Sequence, residues 1–149
     1  MLKRIMSFFI AVFLLLSFSA CRSTVGAGEL MSEFMSAYGI SGPVFLPDEP
    51  EYSEGYISED ALKKIYSYYG SFPSDYAIFL NRHYDYGAEC AFFVCDDGDI
   101  SDTLEMCYER IALICRGEEG IVLCSQNVVF YSTLSDKERA RELFFMILK

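Results

Sequence analysis

His83 and the cysteines are the side chains in this chain best suited to nucleophilic chemistry. There is one histidine and there are six cysteines. A thiol becomes a strong nucleophile when a neighbouring base such as imidazole takes its proton. His83 lies in Asn81-Arg82-His83-Tyr84-Asp85, at the polar end of an expected strand and beside a turn. No cysteine has a recognisable nucleophile context around it. His83, Tyr84 and Tyr86 are therefore weak ligand-contact candidates, and a hydrolase using His83 is an alternative to a chain without catalysis. The sequence has no G-x-S-x-G and no glycine-rich phosphate loop.

The acidic loop Asp96-Asp97-Gly98-Asp99-Ile100-Ser101-Asp102 invites a calcium reading. Counted as an EF-hand from Asp97, it places oxygens at Asp99 and Ser101. The sixth position is then Asp102 rather than glycine, and the twelfth is Tyr108 rather than glutamate. Capping of a following helix explains the same residues. With no C-x-x-C and a single histidine, a zinc site is not expected either, and no metal or cofactor is assigned. Tyr52, Tyr56, Tyr66, Tyr68, Tyr69, Tyr76, Tyr84 and Tyr86 form a tyrosine-rich middle. Such a set either packs in a core and its rim or lines a cleft for a small ligand. Arg110, beside Glu109, is read as a stem on the core with its head in solvent.

Five cysteines follow Cys21: Cys90, Cys95, Cys107, Cys115 and Cys124. Cys90 and Cys95 are five apart, so on a strand they face opposite sides. Cys107 and Cys115 are about 12 Å apart along a helix, too far to bridge. All five sit among apolar neighbours, which suits reduced core thiols. An extracellular location normally favours disulfides, so reduced thiols there imply a low-oxygen habitat.

The start of the chain, MLKRIMSFFIAVFLLLSFSAC, gives an address. Lys3 and Arg4 form a basic head, Ile5 begins an apolar run, and Ser17, Ser19 and Ala20 are small residues before Cys21. That is the pattern of a secretory signal peptide. From Ile5 to Ala20 the segment has 16 residues, short of the roughly 20 of a spanning helix. Phe18-Ser19-Ala20-Cys21 resembles the lipobox of bacterial lipoproteins, with Phe18 where that motif usually has leucine. The resemblance implies cleavage between Ala20 and Cys21, and acylation of Cys21 on its sulfur and new amino terminus. Several acyl chains hold a protein firmly to a membrane. Plain secretion after cleavage and an uncleaved anchor are the alternatives.

Residues 1–20 are thus read as signal peptide, 21–28 as a flexible tether and 29–149 as a single domain, large enough to bury a core. The net charge is −10, and loss of Lys3 and Arg4 takes it to −12. So acidic a chain is a poor partner for nucleic acid and is held off anionic surfaces. Between Arg22 and Lys63 lie eight acidic residues and no basic one, which reads as a solvated face.

The elements follow from spacing. Leu30, Met31, Phe34, Met35 and Tyr38 predict a helix over Glu29–Tyr38, stopped by Gly39. Ser41–Gly55, with Pro43, Pro47 and Pro50, reads as loop. Ser58 can cap a second helix running to Gly70, with Ala61, Leu62, Ile65, Tyr66 and Tyr69 on one side. Asp75–Tyr84 and Ala88–Cys95 read as strands around Asp85-Tyr86-Gly87. A helix over Asp102–Cys115, with Asp102 and Glu105 as a capping box, follows. Ile121–Ser125 and Val128–Ser132 are two more strands, and Ser135 with Glu138 opens a last helix. The expected fold is α+β: a four-stranded antiparallel sheet in ββαββα order, both helices on one face, preceded by two short N-terminal helices. The strands are apolar on both faces. Either the N-terminal helices cover the second face or a protein partner does.

Taken whole, the chain resembles small lipoproteins of Gram-positive bacteria that carry a domain of unknown function of about this length. The features in common are the lipobox, the acidic stretch, Ser74-Asp75-Tyr76-Ala77-Ile78-Phe79, the Arg110 helix and a closing helix. That resemblance implies no activity. The expectation is a non-catalytic binding or accessory module on the outer face of the bacterial cytoplasmic membrane, lipid-anchored at Cys21, with a protein partner and no nucleic acid. The alternatives are a hydrolase, or a small-ligand sensor using His83 or a tyrosine-lined cleft.

Overall fold

The computed structural model describes residues 25–68, 70, 72–81, 88–96, 98–115 and 120–149. Their elements run α1 (Ala27–Tyr38), β1 (Val44–Phe45), α2 (Glu59–Tyr66), β2 (Asp75–Leu80), β3 (Glu89–Val94), α3 (Ile100–Ile114), β4 (Ile121–Ser125), β5 (Val128–Ser132) and α4 (Lys137–Ile147). The five strands form one sheet in the order β1-β2-β3-β5-β4, with every neighbouring pair antiparallel. The α+β class and the antiparallel sheet are as the sequence predicts.

The sheet is wider than expected. Val44 and Phe45 lie in the stretch read as loop, yet they pair with Phe79 and Ile78 at the edge of β2. Pro43 and Pro47 flank them and hide the strand in the sequence. Proline cannot donate to a ladder and is confined to such edge positions. Among the described residues the strand-strand-helix pairs follow two N-terminal helices, as expected, but β1 lies between those helices, so the four-stranded sheet is corrected to five strands.

The sheet is buried between two helical layers. On one face Ala77, Phe79, Cys90, Phe92, Val128 and Phe130 meet α1 and α4 through Leu30, Met31, Phe34, Ala140 and Phe144. On the other, Tyr76, Ile78, Ala91, Phe93, Val129 and Tyr131 meet α2 and α3 through Leu62, Tyr66, Met106 and Cys107. The alternation follows from the period of two along each strand.

This corrects the expectation that α3 and α4 share a face. Because β5 is antiparallel to both β3 and β4, those two run parallel, joined through α3. A crossover between parallel strands has a preferred hand, which fixes the face of its helix. Helices pack at about 8–10 Å and strands at about 4.8 Å, so two helices cover the width of the four long strands β2–β5 on one face. With α2 and α3 on theirs, α4 packs beside α1. Among the described residues both apolar faces of the sheet are thus packed against the chain's own helices.

Caps set the helix ends. Gly26 precedes α1 and offers no side chain; instead both carboxylate oxygens of Asp75 accept from the Ala27 N–H at 3.2 Å. The helix begins two residues earlier than expected, and Ala27 is buried rather than part of a free tether. At its end Gly39 takes φ +87°, the left-handed cap that glycine adopts without strain. Ser58 caps α2 as predicted, its Oγ accepting from the Ala61 N–H at 3.3 Å, but α2 ends at Tyr66 instead of Gly70. The α3 helix starts two residues before Asp102, so Asp102 lies inside its first turn and the Asp102–Glu105 capping box is not formed. Asp136, rather than Ser135, caps α4, accepting from the Arg139 N–H at 3.0 Å.

Candidate functional site

Glu89 opens β3, whose other residues are apolar, and only 3% of it is exposed. The strand's alternation turns Glu89 toward α2 and α3, the side on which Ala91 and Phe93 lie. A carboxylate there requires a partner. Arg110, from the middle of α3, supplies it: Nε donates to Glu89 Oε1 at 2.7 Å and a terminal nitrogen donates to Oε2 at 2.8 Å. The other terminal nitrogen donates to the Ile65 carbonyl at 2.8 Å. The Tyr131 hydroxyl donates to Glu89 Oε1 at 2.9 Å and lies 2.8 Å from the Tyr66 hydroxyl.

Burial, together with the Glu89 charge, pushes the Tyr66 phenol well up. Burial pushes the Tyr131 phenol up in the same direction, with help from Tyr66 and Glu89. Burial pulls on the Arg110 guanidinium, but the hydrogen bond and charge of Glu89 outweigh it and hold the guanidinium above its usual range. Each buried polar group in this network is satisfied, so the network pins α2 and α3 to the sheet. Arg110 therefore departs from the expected solvent-facing head. A lone Glu in an apolar strand was the sequence signal for it.

A cleft of about 410 Å³ opens nearby. It is built by three stretches: Pro47 after β1, Tyr56 to Glu59 with Leu62 at the start of α2, and Phe72 to Ser74 with Tyr76 at the start of β2. Phe72 forms its floor. Its ring meets Tyr76 edge-on at 5.3 Å, Tyr66 at 5.4 Å and Phe93 at 5.7 Å. Tyr76 is buried and Tyr56 is exposed at the rim. Burial, then Asp48, Glu59 and Tyr56, pushes the Tyr76 phenol up. A larger concavity of about 520 Å³ lies at Ser135, Asp136, Lys137 and Glu138, where α4 begins. It has no aromatic wall and no buried polar group, so the tyrosine cleft is the better-formed site.

Of the sequence candidates, Ala20, Cys21, His83, Tyr84 and Tyr86 lie outside the described residues, as do Tyr69 and Asp97. The structure brings Tyr56 and Tyr76 together and sends Tyr66 into the core, while Tyr52 is 93% exposed. Cys90, Cys95 and Cys107 are buried thiols, Cys115 is half-buried, and all the described cysteines are unpaired. Cys124 is exposed, against the expectation that every one of the five is a core residue. Cys90 and Cys95 face opposite sides of the sheet, as their spacing requires. Burial raises the Cys90, Cys95 and Cys107 thiols, and so disfavours the thiolate that attacks substrates. Among the described residues no group of three His, Cys, Asp or Glu side chains converges to hold a metal ion. Among them, too, no helix is long and apolar enough to cross a membrane.

No protein-family model, curated protein or solved structure matches this chain.

Proposed function

We propose that this protein is a non-catalytic binding module on the outer face of a bacterial cytoplasmic membrane, tethered by lipid on Cys21, and that it binds a small ligand in the tyrosine-lined cleft. The observation that carries the binding role is that cleft. Its aromatic and proline walls come from Pro47, Tyr56, Phe72, Pro73 and Tyr76, braced from behind by Tyr66 and Phe93. Its volume of about 410 Å³ falls in the range of small-molecule sites. The membrane role rests on the basic head, short apolar run and lipobox-like Phe18-Ser19-Ala20-Cys21. The absence of catalysis rests on two features. The Ser58 hydroxyl in the cleft wall is engaged as the α2 cap, accepting from the Ala61 N–H at 3.3 Å, and burial pushes the Cys90 and Cys107 thiols up, which disfavours the thiolate. Because helices cover both sheet faces, a small ligand suits the described surface better than a partner protein laid on the sheet.

Two measurements in intact cells test this. A labelled fatty acid should enter the wild-type chain and be absent from Cys21→Ala; equal label in both removes the lipid tether. A photoreactive phenylalanine analogue at position 56 should capture a small molecule, seen as a discrete mass shift on the peptide. The same analogue at exposed Tyr108 on α3 should not. Identical adduct patterns at the two positions remove the cleft as the binding site.

A further inference from the structure

The Tyr76 hydroxyl sets this cleft apart. The residue is 7% exposed and its ring packs edge-on against Phe72 at 5.3 Å; no hydrogen bond from its hydroxyl to a described residue is seen, and since no fully buried side-chain oxygen among the described residues lacks a partner, that hydroxyl reaches solvent at the cleft. Buried phenols normally find a partner. Tyr66 and Tyr131 do so, at 2.8 Å from each other. Tyr76 lines the cleft, so its hydroxyl is left to whatever enters.

The two carboxylates that act on that phenol are Asp48 and Glu59. Glu59, the first residue of α2, lines the cleft; exposed Asp48 follows the lining residue Pro47 in the chain, and both raise the Tyr76 phenol. Lys63 pairs with Glu59 at 2.7 Å and offsets part of its charge. No such partner is seen for Asp48 among the described residues, and Asp60 adds a further carboxylate at the start of α2. An anion would be repelled here. A neutral apolar ligand would leave both the charge and the hydroxyl unused. A cation gains from the carboxylates and from aromatic rings, whose faces are electronegative.

We infer that the cleft binds a small organic cation, an alkylammonium or quaternary ammonium head among Tyr56, Phe72 and Tyr76, with the Tyr76 hydroxyl bonded to a polar substituent of the same ligand. The inference rests on the cleft reading above and adds the chemical class of the ligand. Pro47 and Pro73 make the walls stiff, so little order is lost on binding.

The test uses the full chain in a maltoside detergent. Choline chloride is compared with 3,3-dimethylbutan-1-ol, its uncharged carbon counterpart of the same shape. Intrinsic tyrosine fluorescence and calorimetry read the binding, since the chain has no tryptophan. Choline is expected to bind saturably, roughly tenfold tighter than the neutral alcohol, the size of one desolvated cation–ring contact. Tyr56→Leu should weaken choline severalfold while keeping apolar bulk. Tyr76→Phe, which keeps the ring and loses only the hydroxyl, should bring choline and the trimethylethylammonium ion to equal affinity. Tyr52→Ala, 93% exposed and outside the cleft, should change nothing. Circular dichroism confirms that each variant is folded. Equal affinity for choline and the alcohol overturns the cationic class while leaving a binding cleft in place. No saturable choline binding overturns it as well. Choline binding unchanged in both Tyr56→Leu and Tyr76→Phe places the cation elsewhere and overturns the inference too.

Discussion

The Glu89–Arg110 pair shows how one residue's environment dictates another's. A buried ion pair contributes little net stability, but removing one partner strands a charge and costs about 3–5 kcal/mol. Glu89 is 3% exposed and takes three of its hydrogen bonds from Arg110 and Tyr131. Arg110→Ala is therefore expected to lower the urea-unfolding free energy by about 3 kcal/mol. Replacing both charges, as Glu89→Gln with Arg110→Met, should recover most of it. A single Arg110→Ala variant as stable as wild type shows that Glu89 is solvated after all. Half of this network was open to sequence reading. An acidic residue at the head of Glu89-Cys90-Ala91-Phe92-Phe93-Val94 asks for a cation, but nothing local says that the cation lies 21 residues on, across a layer. Arg110 itself reads as a surface residue because it stands beside Glu109 and its long stem can lie on a core while its head stays in solvent.

At the scale of elements, capping gives the clearest test. Helix α1 has no side-chain cap of its own and uses Asp75 from β2, whose carboxylate meets the Ala27 N–H. A carboxylate at a helix N-terminus also complements the helix dipole. Asp75→Ala is expected to cost about 1 kcal/mol in chemical unfolding, and Asp75→Asn, which keeps one oxygen, clearly less. Equal losses would show that charge rather than acceptance is what matters there. Periodicity found all four helices and the four long strands to within a few residues, because each carries an apolar stripe or run strong enough to read alone. It missed β1, because a two-residue strand in the three-residue gap between Pro43 and Pro47 leaves no pattern. It misassigned the face of α4, because a stripe says that a helix is covered and not which side of the sheet covers it. The cleft was legible only as an excess of tyrosine. That Tyr56 and Tyr76 converge depends on the path of the chain between α2 and β2.

For the whole molecule, the buried titratable groups on both faces of the sheet act together. Tyr66, Tyr131 and Cys107 lie on one side, Cys90 on the other, and burial raises each in the folded state. Below the unfolded thiol range, near pH 8.5, both states hold these protons and the contribution to stability is full. As pH rises through that value and through the phenol range, about 10, the unfolded chain releases protons that the fold retains. Unfolding is then favoured, and stability falls. The melting temperature, measured with a reductant present, should be level from about pH 7 to pH 8 and drop steadily toward pH 10.5. A level melting temperature across the whole range would mean that these groups ionise as readily inside the fold as outside it.

The first turn of α1 also sets a distance. Ala27 is clamped to β2 through Asp75, only six residues beyond Cys21. At about 3.3–3.6 Å per residue, a fully stretched link of that length reaches roughly 20 Å. With the lipid anchor proposed at Cys21, the body would ride on a short leash. Under that proposal it would not rise to the outer layers of a cell envelope or sweep a wide area, and whatever it meets would have to come down to the lipid surface.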